Sequence, residues 1–221
     1  MIFQANPQPP SSGNSIMDMF IRYKLILLAS LFLTCCGEKK FPINYGSLST
    51  YSAAGHLQMV VEIPAGTNVK LEYDIETNTF PVDKKNGEDR VIEFLPYPGN
   101  YGFIPSTVMD INRGGDGDAV DVLLLSEHLP TGTIIEVLPI GILVLEDSGE
   151  KDSKNIVVPI DESMQIMRTH SYDSFHSEFL EVKQLIQLWF LAYKEGSVMK
   201  LISWEDENAA RIEIEKWSIK K

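Results

Sequence analysis

The chain has 221 residues, of which 44% are hydrophobic and 23% charged, enough apolar material for one globular domain with a substantial core. Its formal net charge of −12 disfavours nucleic acid and anionic membrane surfaces as partners over most of its surface, because both are polyanions. The two cysteines, Cys35 and Cys36, are adjacent, so the rest of the sequence has neither a disulfide nor thiol chemistry.

The N-terminal part of the chain resembles an export leader. Arg22 and Lys24 supply a basic start, and an apolar run follows from Leu25 to Leu33. This run is too short to span a bilayer as a helix, which needs about 20 residues. It ends in Leu33-Thr34-Cys35-Cys36-Gly37, which is similar to a bacterial lipoprotein signal with Cys36 as the acylated residue. The alternative is an incidental apolar stretch left by a misplaced start site.

The leader interpretation divides the chain into three parts. We expect residues 1–35 to be a leader that is removed, with translation starting at Met17 or Met19. Residues 36–55 are then a tether, and residues 56–221 form the folded domain. The mature protein is accordingly expected to be a membrane-anchored lipoprotein on the periplasmic or outer side, with a cytoplasmic location as the alternative.

The domain begins with two predicted strands, Leu57 to Ile63 and Val69 to Ile75, separated by Pro64-Ala65-Gly66. Residues 83–90 are charged and predict a mobile loop. Residues 96–105 contain three prolines and two glycines, which predict an irregular backbone. Two tyrosines in this segment need hydrogen-bond partners if they are buried.

Three aspartates crowd the entry to the next predicted strand, Val120 to Leu125, whose unbroken apolar character indicates burial on both faces. In an extended chain Asp116 and Asp118 share a face and Asp121 points to the other, so a turn or bulge is needed to bring them together. The neighbouring glycines permit such a backbone. Clustered carboxylates near a core are costly unless neutralised, which favours a hard divalent cation, Mg²⁺ or Ca²⁺.

Two other structural interpretations of this segment are possible. An ordinary polar loop could use its aspartates to cap turns. An EF-hand would place Asp116, Asp118 and Glu127 at loop positions one, three and twelve, but it would then have Val120 at position five and Asp121 where glycine is required. A strand-like run also replaces the exiting helix, so the EF-hand is disfavoured.

The C-terminal half continues the strand pattern and then changes period. Further strands are predicted at Ile134 to Leu138, Ile140 to Leu145 and Ile156 to Ile160. The acidic residues 146–154 between the last two predict a solvated hairpin loop, which could also supply ligands to a shared metal site.

Helical periodicity follows, because apolar residues recur every 3.6 positions from Asp173 to Lys194, and Asp206 to Trp217 predicts a shorter closing helix. The predicted core-facing stripe consists of Phe175, Phe179, Val182, Leu185, Ile186, Trp189, Phe190 and Tyr193. The expected fold is mainly β with flanking helices: a small, OB-like antiparallel β-barrel with helices at its C-terminal end.

Taken together, these motifs resemble the soluble inorganic pyrophosphatases of the first family. The family signature is Asp-Gly-Asp-Pro, an apolar residue and Asp, followed by Val-Leu, and this chain has Ala119 in place of the proline. The other matching segments follow in the family's order: Glu62-Ile63-Pro64-Ala65, Lys70-Leu71-Glu72, Asn100-Tyr101-Gly102-Phe103-Ile104, Glu146-Asp147 to Asp152-Ser153-Lys154, and Trp189-Phe190 with Tyr193-Lys194. The resemblance covers roughly residues 57 to 217.

The resemblance implies that several Mg²⁺ ions bind in each active site. Asp116, Asp121 and Asp152 would hold the tightest ion, with Asp121 bridging to a second. Asp147, together with Asp152, would bind a metal that arrives with the substrate. The outer part of the acidic cavity would contain Glu62 and Glu72.

The resemblance also implies hydrolysis of inorganic diphosphate to two phosphates, in which a metal-bridged water is the nucleophile and Asp118 takes its proton. Arg90 and Tyr101 would assist the chemistry as well as contact phosphate. The phosphate-contacting positions as a group are Lys70, Arg90, Tyr101, Lys154, Tyr193 and Lys194. Replacement of the signature proline by Ala119 loosens a preset backbone dihedral but removes no ligand.

Other functional classes are compatible with parts of this pattern. A non-catalytic, divalent-metal-binding lipoprotein could use the same barrel, but it would have no need of basic phosphate-binding positions beside the acids. A nucleotide hydrolase is disfavoured because the sequence has no Gly-x-x-x-x-Gly-Lys loop. The expected partners are inorganic pyrophosphate, a membrane if Cys36 is acylated, and further copies of the chain in a homo-oligomer. Nucleic acid is not expected.

Overall fold

The computed structural model describes residues 43–194, 196 and 198–219, so the predicted leader and Cys36 lie outside the described residues. Within these ranges, no helix has the length and apolar character needed to cross a bilayer. The strands are β1 Leu57–Ile63, β2 Lys84–Lys85, β3 Glu88–Asp89, β4 Asn100–Phe103, β5 Asp121–Leu124, β6 Ile134–Asp147, β7 Glu150–Pro159 and β8 Met199–Glu205. The α-helices are α1 Tyr172–Glu178, α2 Leu180–Ala192 and α3 Glu207–Trp217.

Five of the strands pair into a closed ring. Its order is β1-β4-β5-β7-β6, and β6 pairs again with β1, while β8 extends the sheet from β6. A mainly β fold with C-terminal helices is therefore confirmed, and a closed ring of short strands is what an OB-like barrel requires. The expectation that all strands are antiparallel is wrong for one pair, because β5 and β7 run parallel.

Strand β6 is the longest element of the ring and contacts three neighbours. It pairs with β1 near its start, with β7 along most of its length and with β8 over its second half. The sequence predicted two strands here. They are one strand with an irregular register between Pro139 and Gly141, because proline lacks the N–H that a regular ladder needs.

Apolar side chains pack against both faces of the strands that form the ring. Along β5, Leu123 packs in one hydrophobic cluster, and Val122 and Leu124 pack in another. All three side chains are buried, as the unbroken apolar run predicted. The first cluster includes Trp189 and Phe190 of α2, and the second includes residues of α3, so the C-terminal helices complete the core.

Several predicted boundaries are wrong. Residues Val69 to Ile75 contain isolated bridges instead of a regular strand, and residues 83–90, predicted to be a loop without strands, contain the β2–β3 hairpin. Asn86 and Gly87 form its turn, with φ of 57° and 86°, the left-handed values that an Asn-Gly hairpin turn requires. Residues 96–105 include the regular strand β4, which the three prolines in this segment had concealed.

The long loop predicted at residues 146–154 is a tight turn. Strand β7 begins at Glu150, and Ser148 and Gly149 turn the chain with φ of 55° and 98°. Strand β8 was not predicted at all. The helix predicted from Asp173 to Lys194 is divided into α1 and α2 by Phe179, whose φ of −130° is not helical, and α3 confirms the closing helix.

Described residues that were assigned to the tether pack against the domain. The Tyr45 ring lies 5.0 Å from Phe80 and 5.7 Å from Tyr73, and the Tyr45 hydroxyl donates to the Gly132 carbonyl at 3.2 Å. Thr50 is buried and donates to the carbonyl of Pro105 at 3.0 Å. The chain is therefore attached to the ring well before β1 begins.

Candidate active site

A tight loop in front of β5 gathers the predicted aspartates. The backbone N–H of Asp118 donates to Asp116 Oδ1 at 2.9 Å, and Gly117 between them has φ of 97°. A Cβ on Gly115 would lie 2.3 Å from the Met109 carbonyl group, so the loop passes that backbone too closely for any side chain. The sequence predicted such a turn, because side chains alternate between the two faces of a strand and Asp121 would otherwise point away from Asp116 and Asp118. The turn places Asp118 beside Asp121 at the start of β5.

The loop borders a cavity of about 310 Å³. The ionisable residues of its lining are Glu62, Lys70, Glu72, Tyr101, Asp118 and Asp121. The aromatic and aliphatic residues of the lining include Tyr45, Tyr73, Phe103 and Val108. Side chains from the end of β1, from β4 and from the β5 loop therefore meet in one place, although they are distant in sequence.

Glu62 is the most perturbed carboxyl group of the cavity. Its side chain is buried at the end of β1, and Oε1 accepts a hydrogen bond from the Tyr73 backbone at 2.7 Å. Burial raises the pKa of Glu62 to about 8, and the charges of Asp121 and Glu72 add to the effect, while the hydrogen bond from Tyr73 opposes it. Glu62 therefore holds a proton at neutral pH unless a nearby cation offsets the charge.

Asp118 and Asp121 show the same effect. Asp118 is an exposed residue, but partial desolvation of its carboxyl group, followed by the charge of Asp116, raises its pKa. Burial also raises the pKa of Asp121, which Lys154 opposes. Three carboxyl groups thus lie near a core without enough positive charge to keep all of them ionised easily.

Lys154 links two acidic segments: the loop in front of β5, which ends at Asp121, and the β6–β7 hairpin, which contains Asp147 and Asp152. These two segments are called the acidic loops below. It is 4% exposed, donates to Asp121 and lies 2.5 Å from Asp152 Oδ1. Although burial disfavours its charged form, the carboxylates of Asp121 and Asp152 hold the pKa of Lys154 well above its usual value. The Tyr101 hydroxyl lies close enough to Asp121 to lower the pKa of that carboxyl group, and the Tyr101 ring lies 5.7 Å from the Lys154 ammonium.

The residues fit hard divalent cations by their chemistry. Within residues 43–194, 196 and 198–219, no three His, Cys, Asp or Glu side chains are arranged as a finished metal site. The predicted set Asp116, Asp121 and Asp152 is therefore not a ready-made ligand group. Lys154 forms ion pairs with two of its members, Asp121 and Asp152. The donors are nevertheless carboxylate oxygens, which Mg²⁺ and Ca²⁺ prefer, and their raised pKa values show that added positive charge would stabilise their ionised forms.

The end of α2 supplies the remaining predicted residues. Lys194 donates to the carboxylate of Asp147 at the tip of the β6–β7 hairpin. Tyr193 stacks on Trp189 with ring centroids 4.5 Å apart, and its phenol is close enough to Tyr101 to influence the pKa of that side chain. The helix therefore brings a tyrosine and a lysine to the acidic loops.

Two residues that contact predicted site residues were not themselves predicted to belong to the site. Tyr97 is 3% exposed and packs between Tyr101 and Trp189, with ring centroids at 5.3 and 4.7 Å. Asp83 accepts hydrogen bonds from Lys70 and from Arg90. Tyr97 lies in the segment whose tyrosines needed partners, so a signal for it was present, whereas Asp83 stood in a charged segment without any distinguishing pattern.

Comparison with known proteins gives one consistent family. A family model described as inorganic pyrophosphatase matches residues 59–220. The inorganic pyrophosphatase of Sulfolobus acidocaldarius is 34% identical over 170 residues, which cover 72% of this chain and 87% of that protein. The crystal structure of the inorganic pyrophosphatase from Thermus thermophilus superposes with a TM-score of 0.63 at 33% identity, covering 78% of this chain and 95% of that one. The inorganic pyrophosphatase structure from Coxiella burnetii gives a TM-score of 0.64 at 31% identity and covers 77% of this chain and 97% of that one.

The position of Lys154 between two carboxylates leads to a stability prediction. Lys154→Met leaves Asp121 and Asp152 partly buried without their ammonium partner, so the free energy of unfolding in metal-free buffer should fall by about 3 kcal/mol. Lys151→Met is the matched control, because Lys151 lies on the same strand and its side chain is 48% exposed in the ion pair with Glu213, and it should cost less than about 1 kcal/mol. Urea unfolding measures both, and equal losses would contradict the bridging role of Lys154.

Proposed function

The chain belongs to the inorganic pyrophosphatase family and hydrolyses inorganic diphosphate in a metal-dependent reaction, and we propose that Mg²⁺ is the metal and Asp118 the base. The observation that supports this assignment is the alternation of acids and bases around one region: Asp121 and Asp152 with Lys154, Asp147 with Lys194, and Glu72 with Lys70. A site for cations alone has no use for these lysines, so a non-catalytic metal-binding protein is not favoured.

The proposed metal ligands are the carboxylates of the two acidic loops and of the cavity wall: Asp116, Asp121, Asp147, Asp152, Glu62 and Glu72. When bound, Mg²⁺ ions neutralise the polyanionic substrate and lower the pKa of water, which makes a nucleophile available at neutral pH. Several ions are needed, because diphosphate carries multiple negative charges and the unmetallated site is itself acidic.

The chain's cations complete the neutralisation. Lys70, Arg90, Lys154 and Lys194 carry N–H donors that suit phosphate oxygens, and arginine presents them in a planar fork. Each is held by a carboxylate, so its orientation is set before a substrate arrives. Burial, followed by the charges of Asp121 and Asp152, raises the pKa of Tyr101, so its phenol stays protonated and acts as a donor. Tyr193 supplies a second phenol beside it.

Asp118 has the position required of a base. It lines the cavity next to Asp121, and its backbone is fixed by the bond to Asp116. Partial desolvation and the Asp116 charge raise its pKa above that of an ordinary aspartate, which increases its ability to accept a proton from the attacking water.

The direct test is phosphate release from Mg²⁺-diphosphate by the wild-type chain and by Asp118→Asn. The wild type should release phosphate from diphosphate far faster than from ATP, and Asp118→Asn should lower turnover by about 10² or more with Mg²⁺ dependence largely retained. Asp161→Asn serves as a control, because Asp161 caps a short turn away from the cavity. Near-normal turnover of Asp118→Asn would remove Asp118 from this role, and equal rates on ATP would favour a nucleotide hydrolase.

We also propose that Cys36 is acylated and anchors the domain, residues 56–221, on the periplasmic or outer side of a membrane. The support is the order of basic residues, apolar run and Leu-Thr-Cys-Cys-Gly in the leader. Intact-mass analysis and fractionation of native protein should find a diacylated chain beginning at Cys36 in the membrane fraction. Cys36→Ser should abolish the added mass, and Cys35→Ser should retain it. A cytosolic, unacylated native chain would overturn the anchor.

Finally, we propose that copies of the domain associate through α2. Leu185 was predicted to face the core but is 63% exposed, and Leu188, one turn further along, is 59% exposed. Two exposed leucines one turn apart on a helix whose Ile186, Trp189 and Phe190 are buried favour burial against another copy. Leu188→Glu should lower the mass measured by sedimentation, while Ile212→Glu, at an exposed position on α3, should not. An unchanged mass for Leu188→Glu would exclude this surface.

A further inference from the structure

Three chain segments near the cavity close a ring of backbone hydrogen bonds. The N–H of Lys70 donates to the Arg90 carbonyl at 3.0 Å, and the N–H of Asp83 donates to the Lys70 carbonyl at 2.9 Å. The N–H of Arg90 donates to the Asp83 carbonyl at 2.8 Å. Each of the three residues therefore donates to one of the others and accepts from the third, which fixes their backbones relative to one another.

The side chains of the same three residues meet on a single oxygen. Asp83 Oδ2 accepts from Lys70 Nζ at 3.1 Å and from Arg90 Nη1 at 3.0 Å. All three side chains are between 21% and 23% exposed, so water screens the contacts only in part. Although burial opposes ionisation, the bonds from Lys70 and Arg90 lower the pKa of Asp83, which is therefore a carboxylate at neutral pH.

The β2–β3 hairpin holds this arrangement from the outside. The hairpin begins directly after Asp83 and ends directly before Arg90, so its paired strands bring these two residues together. The Lys84–Asp89 ion pair, at 2.5 Å, closes the first rung of the stem. The hairpin places no net charge near the site, because its two lysines are matched by Glu88 and Asp89.

We propose that Asp83 is a positioning residue for diphosphate hydrolysis, holding Lys70 and Arg90 at the separation and orientation in which both contact the substrate. This inference rests on the proposed function, in which those two cations bind phosphate. Without the carboxylate, two like charges that share one oxygen would separate by repulsion. With it, each cation uses one N–H on Asp83. Lys70 uses a second N–H on Glu72 at 2.9 Å, and the donors that remain on both cations are left for phosphate oxygens.

A purely structural role for Asp83 makes a different prediction from a positioning role. A structural residue lowers stability when replaced and leaves the kinetic constants of the folded fraction unchanged. Loss of a positioning residue impairs turnover, because misplaced donors stabilise the transition state less well. Ground-state binding should be kept or strengthened, because the site gains net positive charge toward a polyanion.

The test is the steady-state kinetics of Asp83→Asn on Mg²⁺-diphosphate, using the full chain. We expect kcat to fall about tenfold and KM to stay unchanged or decrease. Asp89→Asn is the matched control, since it removes the same charge from the same hairpin at an exposed position, and its kcat should equal that of the wild type. A kcat of Asp83→Asn equal to that of the control would overturn the proposal.

A double-mutant cycle shows whether Asp83 acts through Arg90. In an Arg90→Ala background, Asp83→Asn should lower kcat by much less than tenfold, because one of the two groups that it positions is already absent. Strictly additive effects would overturn the positioning role even if kcat falls in the single variant. The wild type in the same assay separates this inference from the function on which it rests: an active wild type with a fully active Asp83→Asn overturns the positioning role alone, and an inactive wild type overturns both.

Discussion

Neutralisation of buried negative charge is the constraint on which the site depends. The fold brings Glu62, Asp118 and Asp121 to one cavity, where full or partial desolvation raises the pKa of each. The lysines that lie against the acids offset part of the charge, and divalent cations would offset the rest. The same balance explains how an acidic protein accepts a polyanion: the local charge can be reversed at one place while the surface as a whole stays negative.

The ring of strands determines which of these groups meet. Parallel pairing of β5 with β7 aligns Val122 with Asn155, so the preceding residues, Asp121 and Lys154, are also neighbours. Antiparallel pairing of β4 with β5 places Tyr101 opposite Leu123, close to the same carboxylate. The helices then close the core behind the site and deliver Tyr193 and Lys194 from the end of α2. The contacts that Tyr101, Asp121 and Lys154 make are consequences of strand register, since a shift of one residue would turn these side chains to the opposite face.

Local sequence patterns were sufficient for some parts of this structure and insufficient for others. The convergence of Asp116, Asp118 and Asp121 could be predicted, because glycines and an apolar run define the turn within a few residues. The contact between Lys154 and Asp121 could not, because it depends on a parallel pairing between distant strands. The β2–β3 hairpin was missed although Asn86-Gly87 is a strong turn signal, and Asp83 was missed because its partners are separated from it in sequence.

The position of β6 has a consequence for the order in which the chain can fold. Strand β1 obtains its second neighbour only when Leu57 pairs with Val137, about eighty residues later in the chain. During synthesis β1 therefore keeps an open, apolar edge until β6 has left the ribosome, and such an edge can pair with other chains.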